Sequence, residues 1–253
     1  MEEATQEPTS QGVAAFATMQ LYDGLKFNAK RVGPTTFSQL RQSDYGFGFR
    51  MPTMPELIPF VHASLENRDD EAAKSVIRTL RDYWLAGDTG ILYTLDGVYV
   101  QDNPEMKGGR VSMRQEILEQ KLSSNNEKNG VFYSDDGSIR LAFCRLEKGS
   151  KTPLGLSRNP MVIAFAGSEE NAGKLEKISE HYKSNPWLHI LDDIEKPKIR
   201  IAGLSSGRRF GCDRLVVDGS LSEDSGRNSC AFGVSEDAKS VKQMNQVTRS
   251  LKC

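Results

Sequence analysis

The sequence has few of the residues that build metal or disulfide sites. It contains three histidines and four cysteines. No Cys-x-x-Cys pair occurs, and no spacing is typical of zinc ligands, which argues against a metal centre. We therefore expect no bound metal and no cofactor. Widely separated cysteines in a chain of this size predict free thiols in a reducing compartment; they are Cys144, Cys212, Cys230 and Cys253.

Long apolar runs and a strong charge of either sign are also missing. No stretch reaches the roughly 18 apolar residues that mark a membrane-spanning helix. The first residues, MEEATQEPTSQG, are acidic and polar, whereas a secretory signal is basic and then apolar. The formal net charge of -1 gives no global bias toward nucleic acid or membrane. With 38% hydrophobic and 26% charged residues, the chain is predicted to be soluble, globular and cytoplasmic.

One segment, residues 161–175, resembles a phosphate-binding loop in outline. An apolar run leads into Gly167, and a Gly-Lys pair ending at Lys174 follows. The motif requires four residues between the first glycine and Gly-Lys, followed by Ser or Thr. Here five residues intervene and Leu175 follows. The sequence therefore favours a strand over 161–166, a helix cap at Ser168 and an ordinary helix, with no bound nucleotide.

Local composition and periodicity divide the chain into a tail and one domain. Residues 1–12 lack apolar periodicity and predict a disordered tail. Residues 13–253 are predicted to form a single α+β domain, with a possible seam at the Gly-, Ser- and Pro-rich stretch 148–160.

Helices are indicated by caps and by a 3.6-residue apolar period. The capping box of Thr53 and Glu56 opens a predicted helical hairpin over 55–86, near the N-terminus. A second capping box, at Ser112, predicts another helix, and Ser235 is expected to cap a C-terminal helix. Two short helices are also predicted, over 16–28 and 36–42.

Two Asp-Gly turns, Asp96-Gly97 and Asp136-Gly137, lie between residues of alternating polarity and predict β-hairpins. The hairpin segments, 91–100 and 131–146, share a Tyr-[Ser/Thr]-x-Asp-Gly pattern, which leaves open a duplicated unit. With further predicted strands, the fold class is α+β with a mixed or mainly antiparallel sheet. Those strands are 161–166, 187–191, 198–202, 214–217 and 230–234.

Positive charge is concentrated in residues 196–214, which contain six basic residues against one acid. Within this region the loop 203–211 is rich in Gly and Ser, whose backbone N–H groups could converge on an anion. Its arginines could grip a phosphate or carboxylate, and its phenylalanine could stack on a ring. A solvated hairpin loop is the competing interpretation. The candidate anion-binding residues are Lys198, Arg200, Ser205, Ser206, Arg208, Arg209 and Phe210.

Candidates for catalysis are sparse. Cys212 is the thiol whose setting, beside a glycine and near two arginines, favours a lowered pKa. His62 and His189 are predicted to be half-buried structural residues, and His181 to complement a helix C-terminus. The carboxylates near the turns are explained by turn chemistry or match no metal-binding pattern; they are Asp96, Asp102, Asp135 and Asp136.

The sequence thus favours an intracellular protein that binds or assembles with an unknown protein partner and performs no chemistry of its own. The first alternative is an anion- or nucleic-acid-binding protein that uses the loop 203–211. The second is a hydrolase that uses Cys212 or the turn carboxylates.

Overall fold

A computed structural model describes residues 18–20, 25–143, 155–191, 194–207, 211–223 and 228–235. Helices and a mainly antiparallel sheet with β-hairpins are both present, so the predicted α+β class is confirmed. The predicted tail, the C-terminal helix beyond Ser235, Cys144 and Cys253 lie outside the described residues. Within the described residues, no helix is long and apolar enough to cross a bilayer.

The strands and helices follow each other in an irregular order. The helices are α1 (Phe37–Gln42), α2 (Met54–Glu66), α3 (Glu71–Asp82), α4 (Gln115–Lys121), α5 (Pro160–Ala166) and α6 (Glu169–Ser179). The strands are β1 (Thr18–Gln20), β2 (Lys26–Thr35), β3 (Trp84–Tyr93), β4 (Val98–Asp102), β5 (Glu105–Lys107), β6 (Arg110–Ser112), β7 (Leu122–Lys128), β8 (Val131–Ser134), β9 (Ile139–Ala142), β10 (Trp187–His189), β11 (Lys198–Ser205), β12 (Val216–Leu221) and β13 (Ser229–Ser235).

Strand β3 is the centre of the main sheet. Along one edge it pairs antiparallel with β11, which continues through β12 to the parallel strand β10. Its other edge is shared, because its first residues pair with β13 and its last residues with β4. Beyond β13 lie β2 and β1, and beyond β4 lie β9, β8 and β7. The sheet therefore branches at β3.

Alternating side chains of β3 fill two cores on opposite faces of the sheet. Leu85, Ile91 and Tyr93 join the larger core with side chains from α2, α3, α5 and α6. Ala86 and Leu92 join the smaller core with side chains from α1 and α4. A strand that is buried on both faces has to be apolar nearly throughout. The polar residues that β3 does contain are thereby marked as exceptions.

Local signals placed several elements correctly. Helix α2 begins after Thr53, whose backbone N–H donates to Glu56 at 2.8 Å as the capping box predicts. Asp96-Gly97 and Asp136-Gly137 join β3 to β4 and β8 to β9, and both pairs are antiparallel. The predicted hairpins at these turns are confirmed.

The predicted strand at 161–166 is wrong. These residues form α5, capped by Asn159 and ended by Gly167, whose φ is 84°. All six are buried, and a short run that is apolar on every side fits a buried helix as well as a buried strand. Ser168 caps α6 as predicted, accepting from the Asn171 N–H at 3.1 Å.

One other helix prediction is wrong, and a second predicted helix forms but begins later than its predicted cap. The described part of 16–28 contains β1 and the start of β2, because this segment pairs with β13 and so completes one edge of the sheet. Ser112 ends β6, and α4 begins only at Gln115 after Arg114, which makes no side-chain cap. Pairing with the neighbouring strand β5 overrides the capping signal there.

Candidate functional site

A small pocket lies where β10 meets β12. In this parallel pair Trp187 is opposite Val216 and His189 is opposite Asp218, so these side chains share one face. The pocket has a volume of about 190 Å³. We call it the His189 pocket; it is lined by Trp84, Trp187, His189, Gly207, Cys212, Val216 and Asp218.

His189 is held by a carboxylate. Its Nδ1 lies 3.3 Å from Asp218 Oδ2 and 3.1 Å from Ser220 Oγ. Ser220 donates both its N–H (2.6 Å) and its hydroxyl (2.8 Å) to Asp218 Oδ1. An ionised carboxylate only accepts, so Nδ1 carries a proton toward Asp218. Asp218 therefore orients the imidazole of His189, whose side chain is about half exposed.

Strand β12, which carries Asp218, is held by a hydrogen bond to Tyr93 in the core. The Tyr93 hydroxyl donates to the carbonyl of Gly219 at 2.9 Å in the core. A Cβ at Gly219 would lie 2.6 Å from that hydroxyl oxygen and 2.9 Å from a methyl carbon of Ile91. Glycine is thus required between Asp218 and Ser220. Core packing at Gly219 therefore fixes the position of the neighbouring Asp218 carboxylate, which contacts His189.

Cys212 lines the same pocket and lies in a turn that is closed by backbone hydrogen bonds. Its N–H donates to the Gly207 carbonyl at 3.2 Å, and the Arg214 N–H donates to the Ser206 carbonyl at 3.2 Å. Cys212 is partly exposed, whereas Cys230 is buried in β13. Burial raises the pKa of the Cys230 thiol to about 11, which makes it unreactive at neutral pH. The two thiols therefore differ in access to solvent.

An aromatic wall completes the His189 pocket. The guanidinium of Arg214 lies over the Trp187 ring, 4.5 Å from its centroid, in a cation–π contact. The backbone N–H of Trp187 donates to the Leu215 carbonyl at 2.8 Å, so the strand that carries the ring is also held in place. A pocket with aromatic walls and a few polar groups is the usual form of a small-molecule site.

The structure separates the residues predicted to bind an anion. Lys198 and Arg200 lie at the start of β11, opposite Tyr93 and Ile91. Ser205 ends β11 and Ser206 follows it; both are buried, five to eight residues further along, which is about 16–27 Å of extended strand. The two groups therefore lie toward opposite ends of this strand. Arg208, Arg209 and Phe210 lie outside the described residues, so the basic loop 203–211 stays a prediction.

A second region concentrates charge inside the fold, around Arg140. This side chain is 1% exposed and pairs in bidentate fashion with Asp102, at 2.6 and 2.9 Å. Its Nε donates to the Ala164 carbonyl at 2.6 Å. Asp102 also accepts from the Thr89 hydroxyl at 2.7 Å, and Thr89 accepts from the Met54 N–H at 2.9 Å. These bonds connect β3, β4, β9, α2 and α5.

A second ion pair lies beside the first. Asp88 Oδ2 is 3.0 Å from Arg41 Nε of α1, and Asp88 Oδ1 has no hydrogen-bond partner among the described residues. Burial raises the pKa of Asp88 to about 6, and the charge of Asp102 adds to this while Arg41 opposes it. We call the whole cluster the Arg140 network, comprising Arg41, Asp88, Thr89, Asp102 and Arg140.

A bulge in β3 brings the Arg140 network together. Between Ala86 and Gly90 the pairing with β11 shifts register, and the bulged residues include Asp88 and Thr89. A Cβ at Gly87 would lie 2.9 Å from the backbone nitrogen of Met54, so the strand approaches the start of α2 closely. This approach allows the Thr89 hydroxyl to cap that helix.

An open polar cleft of about 510 Å³ lies next to the Arg140 network, between the Asp136-Gly137 turn and the start of α6. Asp135 and Asp136, two of the turn carboxylates weighed from the sequence, line it. Hydrogen bonds from Ser134 and Ser138 lower the pKa of Asp136 to about 2, so this carboxylate stabilises the turn by accepting hydrogen bonds within it. Over the described ranges, no three His, Cys, Asp or Glu residues are placed to hold a metal. The cleft is larger than the His189 pocket, but neither histidine nor cysteine lines it.

Sequence reasoning missed His189 and Asp218 as partners. The alternation of Trp187 with His189 was visible, and it places both on one strand face. Asp218 could have been noticed as a carboxylate that follows two valines in an apolar strand, where burial is expected. The parallel register that brings the two together is not encoded locally.

No protein-family model, curated protein or solved structure matches this chain.

Proposed function

We propose that this protein is a thiol-dependent hydrolase that acts on a small substrate in the His189 pocket. The observation that carries the proposal is that Cys212, His189 and Asp218 line one pocket, with Asp218 Oδ2 3.3 Å from His189 Nδ1. A nucleophile, a base and a group that orients the base are the three parts of nucleophilic catalysis. The pocket of about 190 Å³ restricts the reacting part of the substrate to a small group.

The proposed chemistry is acyl transfer through a thioester. His189 Nε2 takes the proton of the Cys212 thiol, and the sulfur attacks the carbonyl carbon of an ester or amide. The bond from that carbon to the leaving group breaks, and the imidazolium returns the proton to the leaving group. Water then attacks the thioester carbonyl with His189 as base, which releases the acid and restores the thiol. Asp218 stays ionised and stabilises the imidazolium.

Three features support this role for the His189 pocket over a purely structural one. His189 is about half exposed, although Asp218 is buried. Cys212 is partly exposed, in contrast to the buried Cys230. Trp84 and Trp187 supply the apolar surface that holds a substrate. A thiol nucleophile must stay reduced, which agrees with the cytoplasmic location that we propose from the sequence.

The first experiment measures alkylation of each cysteine by iodoacetamide, resolved by peptide mass spectrometry. We expect Cys212 to react faster than Cys230 at neutral pH, because Cys212 is partly exposed and His189 can take its proton. His189→Gln should slow the alkylation of Cys212 about tenfold or more at neutral pH, and Asp218→Asn should slow it less. His62→Gln is the matched control. An unchanged rate in His189→Gln would contradict the proposal.

The second experiment uses p-nitrophenyl acetate as an activated ester. We expect release of p-nitrophenolate and a mass increase of one acetyl group on Cys212, with both lost in Cys212→Ser. Acetylation at other residues, or an equal rate of p-nitrophenolate release in Cys212→Ser, would contradict the hydrolase proposal.

The other candidate function is binding without chemistry, which the sequence favours. The observation in its favour is that Gly207 and Cys212 line the His189 pocket and also flank the basic loop residues Arg208 and Arg209. An anionic partner bound there should dissociate as salt rises, by about one unit of log-log slope for each phosphate contacted on duplex DNA. Replacing both arginines with alanine should reduce that slope. Equal salt dependence in the double variant would exclude the loop from binding.

A further inference from the structure

A second pocket lies among the ends of α2, α3 and α6 and is lined by Ser206, the residue before Gly207 of the His189 pocket. Its volume is about 160 Å³. Its walls are Leu65 and Ile77, and the remaining lining groups carry N–H or O–H bonds. No carboxylate lines it, although the chain as a whole has 34 acidic residues. The lining residues are Leu65, Arg68, Ile77, Arg81, His181, Tyr182 and Ser206.

The contact between Arg68 and His181 defines the chemistry of this pocket. Arg68 Nη2 lies 2.5 Å from His181 Nδ1. A guanidinium only donates, so Nδ1 must accept and His181 is neutral with its proton on Nε2. The pocket is therefore lined by two guanidinium groups and an imidazole N–H, which are all donors. A donor-rich cavity with net positive charge is complementary to an oxyanion.

We infer that this pocket binds a small oxyanion, such as sulfate, phosphate or a phosphate monoester, through Arg68, Arg81 and His181. The volume is below the 300 Å³ or so that marks sites for drug-sized ligands, which restricts the site to a small anion or the charged end of a larger ligand. Asp82 holds Nε and Nη2 of Arg81 at 2.7 and 2.9 Å, so it partly offsets the charge of that arginine. The other guanidinium, Arg68, carries the main contact.

The inference includes a direction for the pH dependence of binding. Burial lowers the pKa of His181, and the charges of Arg68 and His62 lower it further. The negative charges of Glu180 and Glu66 oppose this shift by raising the pKa. The Arg68 contact requires the neutral imidazole, because protonation would put an N–H on Nδ1 against a guanidinium that can only donate. Binding should therefore weaken as the pH falls into the range in which His181 is protonated. This site is independent of the proposed hydrolase activity, because Cys212 takes no part in it.

The test uses sulfate, which remains a dianion across this pH range, and follows the imidazole signals of the full chain by NMR. We expect a saturable shift of the His181 signal, with weaker binding at about pH 5.5 than at about pH 7.5. Arg68→Ala should weaken the binding about tenfold, the usual size of one charge-assisted hydrogen bond. Arg78→Ala is the matched control, since Arg78 lies on α3, is exposed and does not line the pocket.

Arg68 Nε also donates to the Leu65 carbonyl at the end of α2, so its loss could disturb the helix end. Arg81→Ala and Arg68→Lys are therefore measured as well, and both should weaken sulfate binding while the His189 signal stays unchanged. Absence of a saturable His181 shift would overturn the inference. An equal loss of binding in Arg78→Ala would overturn it too, since it would mean that only the general surface charge matters.

Discussion

The His189 pocket and the Arg140 network both hold ionisable groups, but they complete their hydrogen bonds differently. In the network, the Arg140 guanidinium uses both Asp102 oxygens and the carbonyls of Ala164 and Gly137. In the pocket, Asp218 and Ser220 contact Nδ1 of His189, on a side chain that is half exposed. A charge whose partners lie inside the protein stabilises the fold, whereas an ionisable side chain that opens to a cavity is accessible to a substrate.

The comparison predicts opposite consequences of substitution. Changes in the Arg140 network should cost stability, because they leave a buried charge without its partner. Changes in the His189 pocket should cost reactivity and little stability. The following measurements test this difference, beginning with the substitution expected to have the largest effect.

Arg140→Ala should lower the free energy of unfolding by about 3–5 kcal/mol, since it leaves Asp102 charged and buried. Urea unfolding followed by circular dichroism measures the change. The matched control is the double variant Arg140→Ala with Asp102→Ala, which removes the uncompensated charge and should recover part of the loss. A loss below about 1 kcal/mol for Arg140→Ala would show that the network is not the stabilising region.

Asp88 should make stability depend on pH within the same network. Its pKa is raised by burial to about 6 from 3.8, so between these values the folded state binds more protons than the unfolded state. Stability therefore falls as the pH rises from about 4 to about 6, by up to about 3 kcal/mol at 1.36 kcal/mol per pH unit.

Asp88→Asn keeps the shape of this side chain and removes its titration. Whatever the cost of losing the Arg41 ion pair, we expect the stability of the variant relative to that of the parent protein to rise between pH 4 and 6 and to level off above that range. Urea unfolding at several pH values gives both curves. Parallel curves would mean that Asp88 titrates with an ordinary pKa in the folded protein.

In the His189 pocket, His189→Gln should change the free energy of unfolding by less than about 1 kcal/mol, because the imidazole is half exposed and contacts Asp218 from the surface. Its effect on Cys212 alkylation should be large at the same time. Unfolding and alkylation measured on one sample separate the two effects. A destabilisation as large as that of Arg140→Ala would make His189 a structural residue.

Local rules explain which parts of both regions could be predicted from sequence. The capping box of Thr53 and Glu56 and the Asp96-Gly97 turn involve residues at most three apart, and both formed as expected. The segment 161–166 failed because its apolar residues carry no period that separates a helix from a strand. The signals for a helix here are the flanking residues: Asn159-Pro160 is typical of a helix start and Gly167 of a helix end.

The charged partners could not be predicted because their contacts depend on register. Arg140 meets Asp102 across 38 residues, through the pairing of β4 with β9. His189 meets Asp218 across 29 residues, through a parallel pair with no turn between the strands. Shifting either pairing by one residue would place the side chains on opposite faces of the sheet. A residue's type indicates that it needs a partner, but only the assembled sheet identifies that partner.

The smallest effect is expected at an ion pair that belongs to neither region. Lys174 Nζ lies 2.8 Å from Glu170, four residues earlier on α6, and Glu170 is 81% exposed on its side chain. Both charges are hydrated in the unfolded chain and in the folded one, and holding two long side chains together opposes the weak attraction. Lys174→Ala should therefore leave the unfolding midpoint unchanged within error. It should also leave ATP unbound in calorimetric titration, because the Gly167 segment lacks the spacing and the Ser or Thr of a phosphate loop. If Lys174→Ala were as costly as Arg140→Ala, burial would not be what makes the Arg140 network stabilising, and the distinction between the two regions would have to rest on geometry alone.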